Sequence, residues 1–537
     1  MRFLALVLFA TYVHGFKLPF EVHVVSNQRR DVTGQSVNVN NGSVRITNTL
    51  NSVYISNITL GGQSIPVMLD TGSSDLWVTG TVPNSVDTKK STKLEYAVGE
   101  AAGDIFTADL TFDNYTVKSQ AFLLVANASG FSTNIVAQGY NGLMGLGPNT
   151  GSLVRKELDA KDSAGDAVMN RIFELNQTSQ NYITFMLDRR GDPGSNITGQ
   201  ITISEVVAGY ESILQQPKLS VVTVPDLTDE DQHWQIYTDK NGVIGPDGQP
   251  IVTESIVPKS PDGQLVAVFD SGYTLPQVPR AMSDAIYGRV QGAEWNVANA
   301  VWTVPCTQML NISFVFGGTT FPIHPLDTVS SDFGLTDSNG NPVCAGVFQP
   351  ITSAFSLLGE YDIILGMGFL RNTYTLIDFA NFVSTSTTDT GKPFVQMLPV
   401  TNVQSAHTDF VNVRMNGVDS TGAASQALVP ASEGQSSPVS KEEKEKLLAA
   451  KVLSRWPYIL MGSLVLFFAL VGFCIWRFCC RRRCAARKAA KAKKMQSNVQ
   501  MEPIGSYKAL DDVNSPYMSS YASHSDVFSD KYKSNHV

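Results

Sequence analysis

The sequence predicts a mainly β protein with two related lobes around a central cleft, followed by one C-terminal transmembrane helix. Three observations carry that prediction. Short apolar runs alternate with Gly and Asn turns from SVYISNITLGG to about Val400, and long helical periodicity is scarce there. The run VMLDTGSSDLWV (Val67–Val78) is echoed by AVFDSGYTLPQV (Ala267–Val278), and each is followed by an apolar-apolar-Gly segment, GLMGLG at Gly142–Gly147 and IILGMGF at Ile363–Phe369. Finally, WPYILMGSLVLFFALVGFCIW (Trp456–Trp476) holds 21 residues without a charge, enough to cross a bilayer.

With 537 residues, 43% of them hydrophobic and only 16% charged, the chain can bury a large core and is no disordered protein. Residues 1–15 read as a signal peptide: one early Arg, an apolar run from Phe3 to Val13, and small or apolar residues at Val13 and Gly15 that suit cleavage. Residues 16–51 are polar and read as an N-terminal extension or short propeptide, with Arg29-Arg30 as a candidate processing site. The two β lobes are expected over 52–222 and 223–400. One helical patch interrupts the first, DAVMNRIFELN, with Val168, Ile172 and Leu175 spaced to pack into the core. A Ser/Ala-rich stretch at 401–455 reads as a flexible stalk ending in a short charged juxtamembrane helix.

The uncharged run at 456–476 carries a Trp at each end, as expected at membrane interfaces. It is followed by RFCCRRRCAARKAAKAKK (Arg477–Lys494), with nine Lys or Arg and no acid. The positive-inside rule places the 477–537 tail in the cytoplasm, which with the signal peptide makes a single-pass type I membrane protein of the secretory pathway. Its main domain then lies outside the cell or in a lumen, endosomal or vacuolar routing being suggested by the Tyr-x-x-apolar match YKAL at Tyr507–Leu510. Seven Asn-x-Ser/Thr sequons agree with that side, at Asn41, Asn57, Asn114, Asn127, Asn176, Asn196 and Asn311. Anionic lipid is the expected partner of the basic run, because it sits against the membrane. Without those nine charges the net of −8 becomes −17, so the body is acidic and a nucleic-acid surface is excluded. Of six cysteines, Cys474, Cys479, Cys480 and Cys484 lie in or just below the span, where S-palmitoylation is plausible. Cys306 and Cys344 remain in an oxidising compartment and are expected to pair; closing that loop stabilises the fold by about 3–4 kcal/mol on the chain-entropy model.

The repeated motif reads apolar, apolar, Asp, Thr or Ser, Gly, and so brings one carboxylate per lobe from a strand-to-turn junction. The glycine lets backbone approach the carboxylate closely, and neighbouring hydroxyls can donate to its ionised form. Two such aspartates at a lobe interface cannot both ionise easily and share one proton. The site then holds an acid and a base together, which suits attack of water on a carbonyl without metal or covalent intermediate. Each Asp alone could equally cap a turn; the pair, in a secretory chain with repeated Gly signals, argues against that.

Across roughly Ser52–Val400 the chain resembles the pepsin-type aspartic proteases of family A1, with the membrane anchor and stalk resembling tethered fungal members. DTGSSDLWV matches the family motif nearly letter for letter, implying Asp70 as one catalytic aspartate with Thr71, Gly72 and Ser73 supporting it. In LEYAVGEAAGDIFTADLTF, Tyr96 falls where the family has the tyrosine of a mobile flap, with Gly99, Gly103 and Asp109 at the expected offsets, and Trp77 is its usual partner. The second catalytic aspartate is then Asp270, with Ser271, Gly272, Tyr273 and Thr274 around it; HWQIYTD (His233–Asp239) and ILGMGFLRNTYTLIDF resemble the second lobe's opening and closing segments. The Cys306–Cys344 pair matches the family's second-lobe disulfide. Two departures stand out: Ala97-Val98 replaces the usual Gly-Thr/Ser in the flap, and Tyr273 stands where a small hydroxyl residue normally supports the second aspartate.

The resemblance implies a membrane-anchored, monomeric aspartic endopeptidase that cleaves polypeptide substrates at acidic pH by a water activated between Asp70 and Asp270, without metal or cofactor. It further implies a preference for bulky apolar residues flanking the scissile bond. A relative that only binds protein or glycan in its cleft would be expected to lose an aspartate or the flap tyrosine; a structural cell-surface glycoprotein would need no repeat.

Overall fold

The computed structural model describes residues 43–496 except 46, 50, 52, 97–98, 127–134, 160–161, 190–198, 225–231, 352–360, 386–390, 440–443, 446–447 and 449–454. The signal peptide, Arg29-Arg30, the sequons at Asn41, Asn127 and Asn196, the flap residues Ala97-Val98, most of the juxtamembrane helix and the Tyr507 motif therefore lie outside the described residues. The sequons that are described, Asn57, Asn114, Asn176 and Asn311, are all exposed.

Apolar alternation becomes strand as expected. Val53–Leu60 and Gln63–Asp70 form a hairpin in register Leu60↔Gln63, turned by Gly61 and Gly62, both at positive φ. Gly61 cannot be replaced easily, since a Cβ there would lie 1.8 Å from the Pro83 carbonyl oxygen. Gln63–Asp70 starts exposed and ends fully buried, because its far end crosses into the centre of an eight-stranded sheet.

The sequence repeat is a structural repeat. In the first lobe Gln63–Asp70 runs parallel to Gly142–Gly145, with Asp70 opposite Gly145, and Leu76–Thr79 pairs antiparallel on the other side of Gly142–Gly145. In the second, Val266–Phe269 runs parallel to Ile363–Leu365, with Phe269 opposite Leu365, and Gln277–Val278 pairs antiparallel beyond it. Each Asp-bearing strand thus ends beside the apolar-Gly strand that follows it in sequence. A further six-stranded sheet takes strands from both halves of the chain, Tyr182–Met186 pairing with Thr373–Asp378. The core is continuous across the halves: Trp234 is fully buried, donates from Nε1 to the Leu146 carbonyl at 3.0 Å, and packs on Phe379. The helix Val168–Glu174 forms where expected and buries Val168 and Ile172, but Leu175 is 53% exposed, because the helix ends at that residue. Cys306 and Cys344 are disulfide-bonded.

The expected flexible stalk is corrected by the structure over its first part. Asn402 caps a helix, Val403–Arg414, accepting from the Ser405 N–H, and Phe410, Val411 and Met415 insert into the main core. The chain then runs back along the second lobe as a strap. Val429 N–H donates to the Arg289 carbonyl and Arg289 Nε donates to the Val429 carbonyl, both at 2.9 Å, Gln435 N–H donates to the Gly288 carbonyl, and buried Ser437 donates to Asp284 at 2.7 Å. Few apolar residues sufficed for this because the polar backbone found partners. Phe410→Ala is accordingly expected to lower stability by about 3 kcal/mol in urea unfolding, whereas a true stalk would show no change.

The second compact unit begins at Trp456. It is one helix, Trp456–Gln496, of 41 residues, continuing past Trp476 through the basic run. Its apolar side chains are exposed, and it is long and apolar enough to cross a membrane.

Candidate active site

The two Asp-Thr/Ser-Gly turns meet, and each is built by the other. Thr71 Oγ1 donates to the Phe269 carbonyl at 2.8 Å and accepts from the Ser271 N–H at 2.9 Å. Reciprocally, Ser271 Oγ donates to the Leu69 carbonyl at 2.8 Å and accepts from the Thr71 N–H at 3.0 Å. All four groups are buried, so the lacing fixes the two turns face to face. The glycines are required by that approach: a Cβ on Gly72 would lie 2.3 Å from Asp270 Oδ2, and one on Gly272 would lie 2.6 Å from Asp70 Oδ1.

The two carboxyl groups sit in unequal surroundings. Asp70 accepts from the Gly72 N–H at 2.8 Å and from Ser73 Oγ at 2.5 Å. Asp270 accepts from the Gly272 N–H at 2.7 Å, and the Tyr273 N–H adds a weaker contribution. Burial pushes the Asp270 carboxyl far above the usual carboxylate range, and the charge of Asp70 and a hydrogen bond shared with it add to the shift. One proton between the two, resting on Asp270, is the arrangement that follows.

Tyr96 stands at the tip of a hairpin formed by Val86–Glu95 and Glu100–Phe112, closed by Tyr96 N–H donating to the Gly99 carbonyl at 3.0 Å. Its ring packs on a cluster that includes the buried Trp77. Burial and the Asp70 charge keep the phenol protonated. Tyr96 and Trp77 thus share one apolar cluster beside the first turn. Thr274 borders a cavity of about 20 Å³ with Asn51, Leu275 and Arg371, room for about one water.

Sequence reasoning did not single out three residues that the fold brings here. His233 Nδ1 lies 2.9 Å from the Gly72 carbonyl; a carbonyl only accepts, so Nδ1 carries the proton. The His233 ring meets Tyr361 edge-on at 6.0 Å. Asp75 anchors the first turn from behind, accepting from Ser152 Oγ at 2.5 Å and from the Leu153 and Val154 N–H groups. A signal for Asp75 was present in the motif itself, DTGSSD; His233 and Tyr361 carried none, their partners being distant in sequence.

Residues 53–386 match the family model described as eukaryotic aspartyl protease. The chain belongs to that family. Among the aspartyl proteases it is 24% identical to major aspartyl peptidase 1 of Cryptococcus neoformans var. grubii over 66% of this chain and 73% of the relative. It is 27% identical to rhizopuspepsin-1 of Rhizopus niveus over 70% of this chain and 86% of the relative. A crystal structure of an aspartic proteinase from Irpex lacteus aligns with 67% of this chain and 97% of that one, at 18% identity and a TM-score of 0.49. As a pepsin-family member the protein is a hydrolase, an aspartic-type endopeptidase.

Proposed function

We propose that Asp70 and Asp270 are the catalytic pair of a membrane-anchored endopeptidase that cleaves polypeptides at acidic pH. The observation that carries this reading is the interlocked pair of turns, laced by Thr71 and Ser271, with Ser73 donating to Asp70. Water bound between the carboxyls loses a proton to ionised Asp70 as its oxygen attacks the scissile carbonyl carbon, while protonated Asp270 gives its proton to the carbonyl oxygen. In the collapse of the tetrahedral intermediate, Asp70 passes its proton to the leaving nitrogen and Asp270 regains one from the hydroxyl. Tyr96, held by Trp77, closes over the substrate. Thr71, Gly72, Ser271 and Gly272 position the carboxyls, and Thr274 lines the small cavity it shares with Leu275 and Arg371.

The anchor is the uncharged segment Trp456–Trp476, with the catalytic lobes on the extracellular or luminal side and the basic run against anionic lipid in the cytoplasm. Exposure of Asn57, Asn114, Asn176 and Asn311 supports glycosylation on that side.

The test is a pH profile of the full chain on a denatured protein substrate. Activity needs one carboxyl protonated, so a raised Asp270 pKa extends activity upward in pH. The alkaline limb is expected above about pH 4, the ordinary carboxyl range, with activity lost as pH rises further and blocked by pepstatin. No pepstatin-sensitive cleavage at any pH from about 3 to 7 would sink the reading.

A further inference from the structure

Ser73 and Tyr273 occupy the same place in the two motifs, three residues beyond each aspartate, and meet different fates. Ser73 turns back onto its own carboxylate. Tyr273 has its main chain pinned, its N–H donating to the Asp270 carbonyl at 3.3 Å and its carbonyl accepting from the Met367 N–H at 2.8 Å. Gly366 closes in on it so tightly that a Cβ there would lie 3.1 Å from the Tyr273 Cβ. Unlike Ser73 Oγ, the Tyr273 hydroxyl makes no hydrogen bond to its own carboxylate, and its oxygen is buried with no hydrogen-bond partner among the described residues.

A buried donor left unpaired is costly and calls for an explanation. Its neighbours suggest one. Burial, the charges of Asp270 and Asp70 and the nearby Tyr361 phenol all hold Tyr273 protonated, so it is an O–H donor throughout the acidic range. Tyr361 in turn meets His233, which is tied to the first turn at Gly72. Tyr273, Tyr361 and His233 thus line the second-lobe flank of the carboxyl pair with aromatic rings and one spare donor.

We infer that Tyr273 is a specificity-determining residue, whose hydroxyl donates to an acceptor atom in the side chain of the substrate residue seated on the second-lobe flank. The enzyme then selects amide or carboxyl side chains (Asn, Gln, Asp, Glu) at that position over aliphatic ones. This inference rests on the endopeptidase reading above and refines the apolar preference that resemblance alone implies. A site that offers an unpaired donor discriminates because only an acceptor-bearing substrate satisfies it.

The test compares full-length wild type with Tyr273→Phe on a peptide library varied on both sides of the scissile bond. Since the hydroxyl has no partner to lose among the described residues, Tyr273→Phe keeps or slightly raises the melting temperature. At one position, kcat/KM for Asn, Gln, Asp or Glu falls about 10- to 100-fold in the variant, while Leu at that position is cleaved as before. An unchanged library profile overturns the inference. So does a uniform loss on every peptide with a displaced pH profile, which would place the hydroxyl's action on the carboxyl pair. Wild-type protein that cleaves no peptide at all overturns the endopeptidase reading and this inference with it, a result distinct from active wild type with an unaltered variant.

Discussion

Asp70→Asn is expected to reduce peptide hydrolysis by about a thousandfold or more while leaving the protein folded. The substitution is nearly isosteric, and the amide oxygen can still accept from the Gly72 N–H that now lies 2.8 Å from Oδ1. Ser73 Oγ, which donates to Oδ2 in the wild type, then faces the new Nδ2 amide and can accept from it instead. Only the negative charge disappears, and with it the base that takes a proton from water. Asp270 already carries the shared proton and the near-isosteric amide fills the same space, so the melting temperature should hold. Loss of activity with an unchanged melting temperature is the expected pair of results. A variant that retains a tenth of wild-type kcat would exclude Asp70 as the base.

Asp327→Ala is expected to cost about 3–5 kcal/mol of stability, the largest effect anticipated for any position away from the site. Its carboxylate is 1% exposed and lies between two guanidinium groups that are themselves 8% and 6% exposed, those of Arg189 and Arg371. Arg189 Nε donates at 2.9 Å and Arg371 Nε at 2.7 Å, and Asn372 Nδ2 adds a third bond at 3.0 Å. Removing the carboxylate takes away the counter-charge that these two buried cations share. The pH dependence has a definite sign. Burial alone would raise the Asp327 pKa, but the two arginines outweigh it and hold the group at about 2. An unfolded aspartate titrates near 3.9, so the stabilisation is fully present above about pH 4 and is lost as pH falls towards 2. Urea unfolding should therefore show a large gap between wild type and variant at pH 5 that narrows near pH 2. A gap independent of pH would mean that packing, not charge, is what the substitution removes.

Both halves of the candidate site were legible in the sequence because the information is local and duplicated. An apolar strand that ends on Asp-Thr-Gly has to be explained once, and a second copy with its own trailing Gly segment selects among the explanations. The glycines at Gly72 and Gly272 could be assigned to close approach, although not to the particular fact that each makes room for the opposite carboxylate. The disulfide was legible from topology. The ion cluster was not, since Arg189 and Asp327 are 138 positions apart and nothing local marks a charge that will be buried. The strap was misread for a related reason. Its composition is that of a linker, and three apolar residues, Phe410, Val411 and Met415, do the anchoring; the local clue was Asn402, a good helix cap ahead of a helix-length segment. Tyr273 was legible as a departure, while the absence of a partner for its hydroxyl required the fold.

The crossed hydroxyls of Thr71 and Ser271 have a consequence for when the protein can act. Each completes the backbone of the other half, across 198 to 202 positions of sequence, so neither half holds a formed carboxylate turn by itself. A nascent chain with only its first half emerged contains Asp70 without the scaffold that aims it. On the proposed mechanism, proteolytic competence arises only at docking of the halves.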